Sequence, residues 1–236
     1  MERSYQEILN LLHLSRMERP VYRGSRGYLP DEKTPVDSPA AANLCRRAMG
    51  YSPEKPLYVA AIGAITNVAS ALLMQPEIAD RIVVIWLGGN ALHWHDNQEF
   101  NIRQDVAAAR VVFSSGAPLV MLPCMGVVSA FTASGPELEH WLKGKNPLCD
   151  YLVAHTVEAA HEYAKGKVWS RVIWDVCAAA WLLNENNRFM DAVVDHAPIP
   201  TYDGTYSFNE HRHLYLRVTD IHRDALFGEL FRILAE

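Results

Sequence analysis

The chain has little of several things, and each shortage closes a class of function. Basic residues are outnumbered, 22 Lys and Arg against 27 Asp and Glu, for a formal net charge of −5. No basic stripe appears anywhere along the chain. That excludes nucleic acid as a main partner, because phosphate contacts need clustered cations. Cys45, Cys124, Cys149 and Cys177 are the only cysteines, with no CxxC spacing among them. In a chain this long they read as reduced core thiols rather than a disulfide framework or a zinc site, which favours a cytoplasmic setting. No GxGxxG follows a strand-like run, so a dinucleotide oxidoreductase has no fingerprint to rest on. Internal repeats, low-complexity tracts and linkers are missing as well. The opening "MERSYQEILNLLHLSRMERP" reads as an amphipathic helix of mixed acids and bases, without the apolar core and cleavage site of a signal peptide.

Long apolar runs are nearly absent too. The exception, "PLYVAAIGAITNVASALLMQP" over 56–76, carries no charge and approaches the length of a membrane span. Gly63 and Thr66-Asn67 interrupt it where a strand would turn into a helix. The reading is therefore a buried strand "LYVAAI" followed by a helix to Met74 that Pro76 closes, and no membrane partner is expected.

What is present describes an α/β protein. Half of the 236 residues are hydrophobic and 21% are charged, the balance of one globular domain spanning 1–236. "RIVVIWLGG" and "APLVMLP" are further apolar strands, separated by a helix "VAAARVVFSSG" with Gly116 at C′. Continuous apolar strands between helices make a mostly parallel sheet flanked by helices on both faces. The chain then turns helical over 135–167, with a break around Lys145-Asn146-Pro147. "WDVCAAAWLLN" is a short buried helix, "LYLRVTDI" a strand and "RDALFGELFRILAE" a terminal amphipathic helix.

In open α/β sheets ligands sit beyond the carboxyl ends of the strands, so the polar residues just after each strand carry the interest. Glu99 and Asn101 lie two apart in "EFNIRQDVAAA". In an extended segment both would point one way, with Phe100 turned into the core. A carboxylate beside an amide suits the hydroxyls of a sugar, and equally suits loop and capping work. Asp105 is expected to cap the helix that follows. In "GAITN", Thr66 or Asn67 is expected to cap the next helix, and Gly63 lets the backbone turn. Asp175, set among Val, Ile, Trp, Cys and Ala, must be an N-cap, an ion-pair partner or a cation ligand, because burying it unpaired is costly. His93 and His95, like His211 and His213, have no third metal ligand at suitable spacing and read as surface residues.

Taken in order, "AAIGAITNVASALLMQPEI", "IVVIWLGGN" and "EFNIRQDVAAARVVF" resemble the nucleoside hydrolases, the ribohydrolases that cut the N-glycosidic bond of ribonucleosides to ribose and base. "GAITN", "LGG", "EFN" and "DVAA" stand where that family has a G-P-L-T-N-like turn, M-G-G, E-F-N and D-P-x-A-A. The later "WD" and the "TDIHRDALFGELF" ending are similar too. The resemblance implies a Rossmann-like α/β fold and a ribonucleoside or ribose as partner. It assigns Glu99 and Asn101 to ribose hydroxyls, Leu87 to the sugar site and Asn97 to the 5′-hydroxyl. The Ile62 carbonyl and Asp175 would ligate Ca2+, with Asp175 also touching ribose. Trp174 stands where a pyrimidine-accepting branch has an acid His, as in a purine-preferring branch, where an indole stacks on the base. Indole has no proton to give at neutral pH, so help to the leaving base must come from elsewhere.

The family also opens on a strand ending D-x-D-x-x-x-D-D, which supplies most calcium ligands and the general base. No such cluster occurs here, and no catalytic residue is assigned. "PVYRG" matches a later P-V-x-x-G turn, so the expected fold lacks the first strand-helix portion. Two protein ligands would hold calcium feebly, since it takes about 6 to 8 oxygens. The readings left open are a hydrolase, a catalytically impaired relative that binds a nucleoside or sugar, and a subunit whose exposed sheet edge pairs with another chain, a homo-oligomer included.

Overall fold

The computed structural model describes residues 1–236. Helices α1 (Glu2–Leu14) and α2 (Pro39–Ala48) precede strand β1 (Leu57–Ala61), helix α3 (Thr66–Met74) and strand β2 (Ile82–Leu87). Then come α4 (Phe100–Gln104), α5 (Val106–Ser114), β3 (Leu119–Leu122), the short β4 (Thr132–Ala133), α6 (Gly135–Leu142) and α7 (Pro147–Ala164). The chain closes with β5 (Arg171–Val172), α8 (Val176–Ala180), β6 (Met190–His196), β7 (Ile199–Pro200), β8 (Tyr206–Ser207), β9 (Leu214–Ile221) and α9 (Arg223–Ala235). No helix is long and apolar enough to cross a membrane.

The main sheet runs β1-β2-β3-β9-β6, parallel across its first four strands, with β6 antiparallel at one edge. Its period of two divides the interior into two cores. Ile82, Val84 and Trp86 of β2, with Leu119 and Met121 of β3, face α2, α3 and α5. Ile85, Leu87, Val120 and Leu122 face the other layer, where α6, α8 and α9 contribute Leu138, Cys177, Ala178, Phe227 and Phe231. Apolar side chains on both faces are why these strands read as uninterrupted hydrophobic runs. Small residues let the helices of the first layer sit close: Ala69 and Ala71 of α3, and Ala107 to Ala109 of α5, are all buried.

Local chemistry sets the boundaries. Ser38 accepts from Ala41 N at 3.0 Å and Pro39 follows it, a cap and N1 pair that starts α2. The break at Lys145-Asn146-Pro147 is present: Asn146 accepts from Cys149 N at 2.9 Å and caps α7. Gly116 ends α5 with φ +77°, which only glycine adopts cheaply.

Two local expectations are corrected, and a third is extended. Neither Thr66 nor Asn67 caps α3, whose N-cap is Ile65. The hydroxyl of Thr66 instead donates to Asp105 at 2.5 Å, and Asn67 Oδ1 accepts from Ser25 N, Ser25 Oγ and Ser38 Oγ. Phe100 does not turn inward; it is 65% exposed, because 99–101 is the start of a helical turn rather than an extended segment. Pro76 does end α3, yet the chain continues as a 3-10 turn over Pro76–Arg81 before β2.

Candidate functional site

The carboxyl ends of β1, β2 and β3 open onto a cavity of about 610 Å³. Ile62 lines it from the end of β1, Leu87 from β2, and Cys124 and Met125 from just beyond β3. Glu99, Phe100 and Asn101 enter from the start of α4, while Trp174 and Asp175 close the opposite wall ahead of α8.

Glu99 is the N-cap of α4, and its carboxylate is largely spoken for. It accepts from Gly89 N at 2.9 Å, Asn101 N at 2.9 Å and Ile102 N at 3.1 Å. A carboxylate offers about four acceptor directions, so roughly one is left for a ligand. Gly89 makes this possible: its φ of +76° aims the N–H at Glu99, and a Cβ there would lie 2.2 Å from Tyr206 Oη. Asn101 donates through Nδ2 to the Leu87 carbonyl at 2.9 Å, which leaves its Oδ1 and one N–H toward the cavity. The capping role and the position on the cavity wall therefore coexist in one residue.

Asp105 is the second buried acid of the motif and does not line the cavity. It caps α5 by accepting from Ala108 N at 2.9 Å, and holds Leu29 N at 3.0 Å and the Thr66 hydroxyl through its other oxygen. Three separate chain segments meet on one side chain.

Asp175 sits at the head of α8 but makes no side-chain cap, and its carboxylate has no hydrogen-bond partner in the protein. Burial first, and then the charge of Glu99, push its proton affinity above that of an ordinary aspartate. Cys124 and Cys177 lie close by. Burial and Glu99 drive the Cys124 thiol far up, and burial with Asp175 pushes Cys177 up to about 12, so both are protonated and unreactive at neutral pH.

Asn97, expected at the 5′-hydroxyl, is 1% exposed and stands behind the wall rather than on it. Its Oδ1 accepts from Asn90 N at 3.0 Å. The residues of that loop that do reach the cavity are Asn90, Trp94, Asp96 and Gln98. Asn90 accepts from Met125 N at 3.2 Å and donates to Asp96 at 3.3 Å, so it ties the loop to the end of β3. Asp96 also pairs with His95 at 3.0 Å. The one signal for these residues was position: all follow β2, in the segment that the strand-end rule singles out. His93 and His95 are exposed, and neither belongs to a metal-binding group.

The oxygen donors do not make a calcium site. Asp175 is the only lining carboxylate free of other bonds, and Ile62 adds at most one carbonyl, against the 6 to 8 oxygens the ion takes. The one cluster of potential ligand atoms within 4.8 Å of one another, Asp191, Asp220 and His222, lies on β6 and the end of β9, outside the cavity.

A parallel α/β domain with a polar-walled, aromatic-flanked cavity at its strand ends is the architecture of a small-molecule site. The sequence model of the inosine-uridine preferring nucleoside hydrolases matches residues 1–226, and the chain belongs to that family. Curated relatives include the pyrimidine-specific ribonucleoside hydrolase RihA of Citrobacter koseri and that of Salmonella typhi. Each is 32% identical over 161 residues, which is 66% of this chain and 51% of the relative. The chain thus aligns with about half the length of the curated relatives it matches. Among solved structures, the plant nucleoside hydrolase PpNRh1 superposes with a TM-score of 0.78 at 19% identity, over 98% of this chain and 85% of that one. A purine-preferring ribonucleoside hydrolase from Gardnerella vaginalis gives 0.79 at 17% identity, over 100% and 86%. At such identities these structures speak for the fold.

Proposed function

We propose that this chain takes a ribonucleoside into the cavity at the ends of β1, β2 and β3 and belongs to a system that hydrolyses its N-glycosidic bond to ribose and base. Family membership supports the reaction class, and the presence of Glu99, Asn101 and Asp175 around one cavity supports the substrate class. The ribose hydroxyls meet the last free lone pair of Glu99 and the free amide groups of Asn101. The base lies between Trp94 and Trp174, and two indoles suit the larger stacking area of a purine. The curated relatives are named for pyrimidines, so inosine against uridine is the comparison that tests this stacking.

The donor count favours a second reading beside the first. Asp175 is the one cavity carboxylate with free oxygens and a raised proton affinity, as a general base requires, but it has no partner group to orient it. A chain so equipped binds a nucleoside well and cleaves it slowly. The test measures both properties. Calorimetry with inosine, uridine and ribose, with and without calcium, reads binding, and a coupled assay reads released ribose. Binding with ribose release supports the hydrolase; binding without release supports the impaired relative. No heat with any of the three compounds overturns both.

A further inference from the structure

The cavity at the strand ends carries charge of one sign. Three segments each bring it an aromatic ring and a carboxylate: Trp94 with Asp96, Phe100 with Glu99, and Trp174 with Asp175. No Lys, Arg or His is among the residues that line it, in a chain with 22 Lys and Arg and 10 His. The cleft between α6 and α9, about 520 Å³, mixes its signs instead: Lys145, Arg223 and Arg232 stand there beside Glu137 and Asp224.

Two of these acids are fixed in place. Glu99 is held by the N–H groups of Gly89, Asn101 and Ile102. Asp96 accepts from Gln98 N at 2.9 Å and from Asn90 Nδ2 at 3.3 Å, and its other oxygen meets His95. The His95 side chain is 76% exposed and does not line the cavity, so solvent screens it. The faces of aromatic rings are electron-rich, and a cage of them is how proteins hold a desolvated organic cation. The lining also lacks an acid for a departing base: it has no imidazole, ammonium or phenol, and burial and Glu99 keep the Cys124 thiol protonated.

We infer that the cavity takes the riboside of a cationic aromatic base, of the N-ribosylpyridinium or N7-alkylated purine kind. The inference rests on the ribonucleoside reading above and narrows its substrate class. The positive ring stacks on Trp94 and Trp174, with Asp96 and Asp175 as its counter-charges. Such a base needs no acid to leave. When the C1′–N bond breaks, its electron pair passes to the ring nitrogen and cancels the charge of the ring, so the base departs neutral. The oxygen of water bonds to C1′, and the proton of that water goes to Asp175 and on to solvent. The products are ribose, the neutral base and one proton.

Two matched pairs of probes separate charge from shape. One is the 3-carbamoylpyridinium riboside against its uncharged 1,4-dihydropyridine form, and the other is N7-methylguanosine against guanosine. Calorimetry on the full chain should give the cationic member at least about tenfold tighter binding in both pairs. Asp96→Asn and Trp174→Leu should each bring that ratio towards one, with thermal melts checking that the variants fold. In the coupled assay, ribose should come faster from the pyridinium riboside than from inosine. An advantage below about tenfold in either pair overturns the inference and leaves the ribonucleoside reading standing. A ratio indifferent to both substitutions, or faster release from inosine, does the same. No binding of any of the four ribosides overturns both.

Discussion

Asp105 offers the sharpest test of how the motif is held. Its carboxylate, 3% exposed, accepts three hydrogen bonds, from Ala108 N, Leu29 N and the Thr66 hydroxyl, and no cation pairs with it. Asp105→Ala removes an N-cap, worth about 1 kcal/mol. It also strands the Leu29 N–H and the Thr66 hydroxyl, both buried, at about 1–3 kcal/mol each. Against this stands relief from burying an unpaired charge, which returns part of the loss. The net expectation is a destabilisation of about 3 kcal/mol, read by urea unfolding at unchanged m-value. Asp105→Asn should cost less, about 1–2 kcal/mol, because its amide oxygen still caps α5 and only the Leu29 contact becomes donor against donor. Hydrogen exchange should show the segment around Leu29 opening first, since it loses its anchor while the sheet keeps its own. A loss below about 1 kcal/mol for the alanine variant, or an asparagine variant as damaging as the alanine, would refute the three-way knot.

Three further outcomes follow from the cavity. Glu99→Gln should destabilise by about 2 kcal/mol, because an amide N–H must face a backbone N–H, and should weaken ribose binding in the same calorimetry; unchanged melting would contradict the cap geometry. Gly89→Ala should be worse, as its Cβ would lie 2.2 Å from Tyr206 Oη and 2.8 Å from Met121 Cε at a φ of +76°, and wild-type urea stability would dismiss the clash. Asp175 is raised in the folded state, so folding takes up protons and the charged form costs stability as pH rises above the ordinary aspartate range. Asp175→Asn should therefore melt higher than wild type at pH 7, with the gap narrowing towards pH ~4 and closing below it, where the carboxyl is protonated in both the folded and the unfolded chain. A gap that does not change with pH would exclude this cause.

The sheet was readable in advance because β2 and β3 are buried on both faces and β1, though partly exposed, is apolar throughout, so all three stand out as apolar runs between helices. β6 was missed for the converse reason: "MDAVVDH" is an edge strand whose acids conceal its alternation. α2 was missed because its apolar face is alanine and a single cysteine, and the cap Ser38 is the only strong signal. In the site, the strand-end rule found the right segments, and the order of "GAITN", "LGG" and "EFN" identified the family. Individual side chains were less legible. Whether Asn97 or Asn90 reaches the cavity depends on how the loop between β2 and α4 folds back, and a period of two or 3.6 carries no information about that.

The same reasoning limits what Glu99 can do. A residue that holds three backbone N–H groups cannot also move, so its contribution to a ligand is fixed in place before binding. Preorganisation of that kind lowers the entropic cost of seating a sugar, and it makes the hydroxyl contact short-range and selective. It also removes Glu99 from proton transfer, since protonation would break the cap of α4. The base we propose for this cavity is Asp175, whose oxygens are free and whose proton affinity is raised by burial first and then by the charge of Glu99. On that proposal the chemistry divides between two carboxylates that line one cavity, one locked by the backbone and one unbonded. Swapping their roles should fail: Asp175→Asn should abolish any ribose release while leaving inosine binding, whereas Glu99→Gln should weaken binding first. Release that survives Asp175→Asn would show that the attacking water is activated elsewhere.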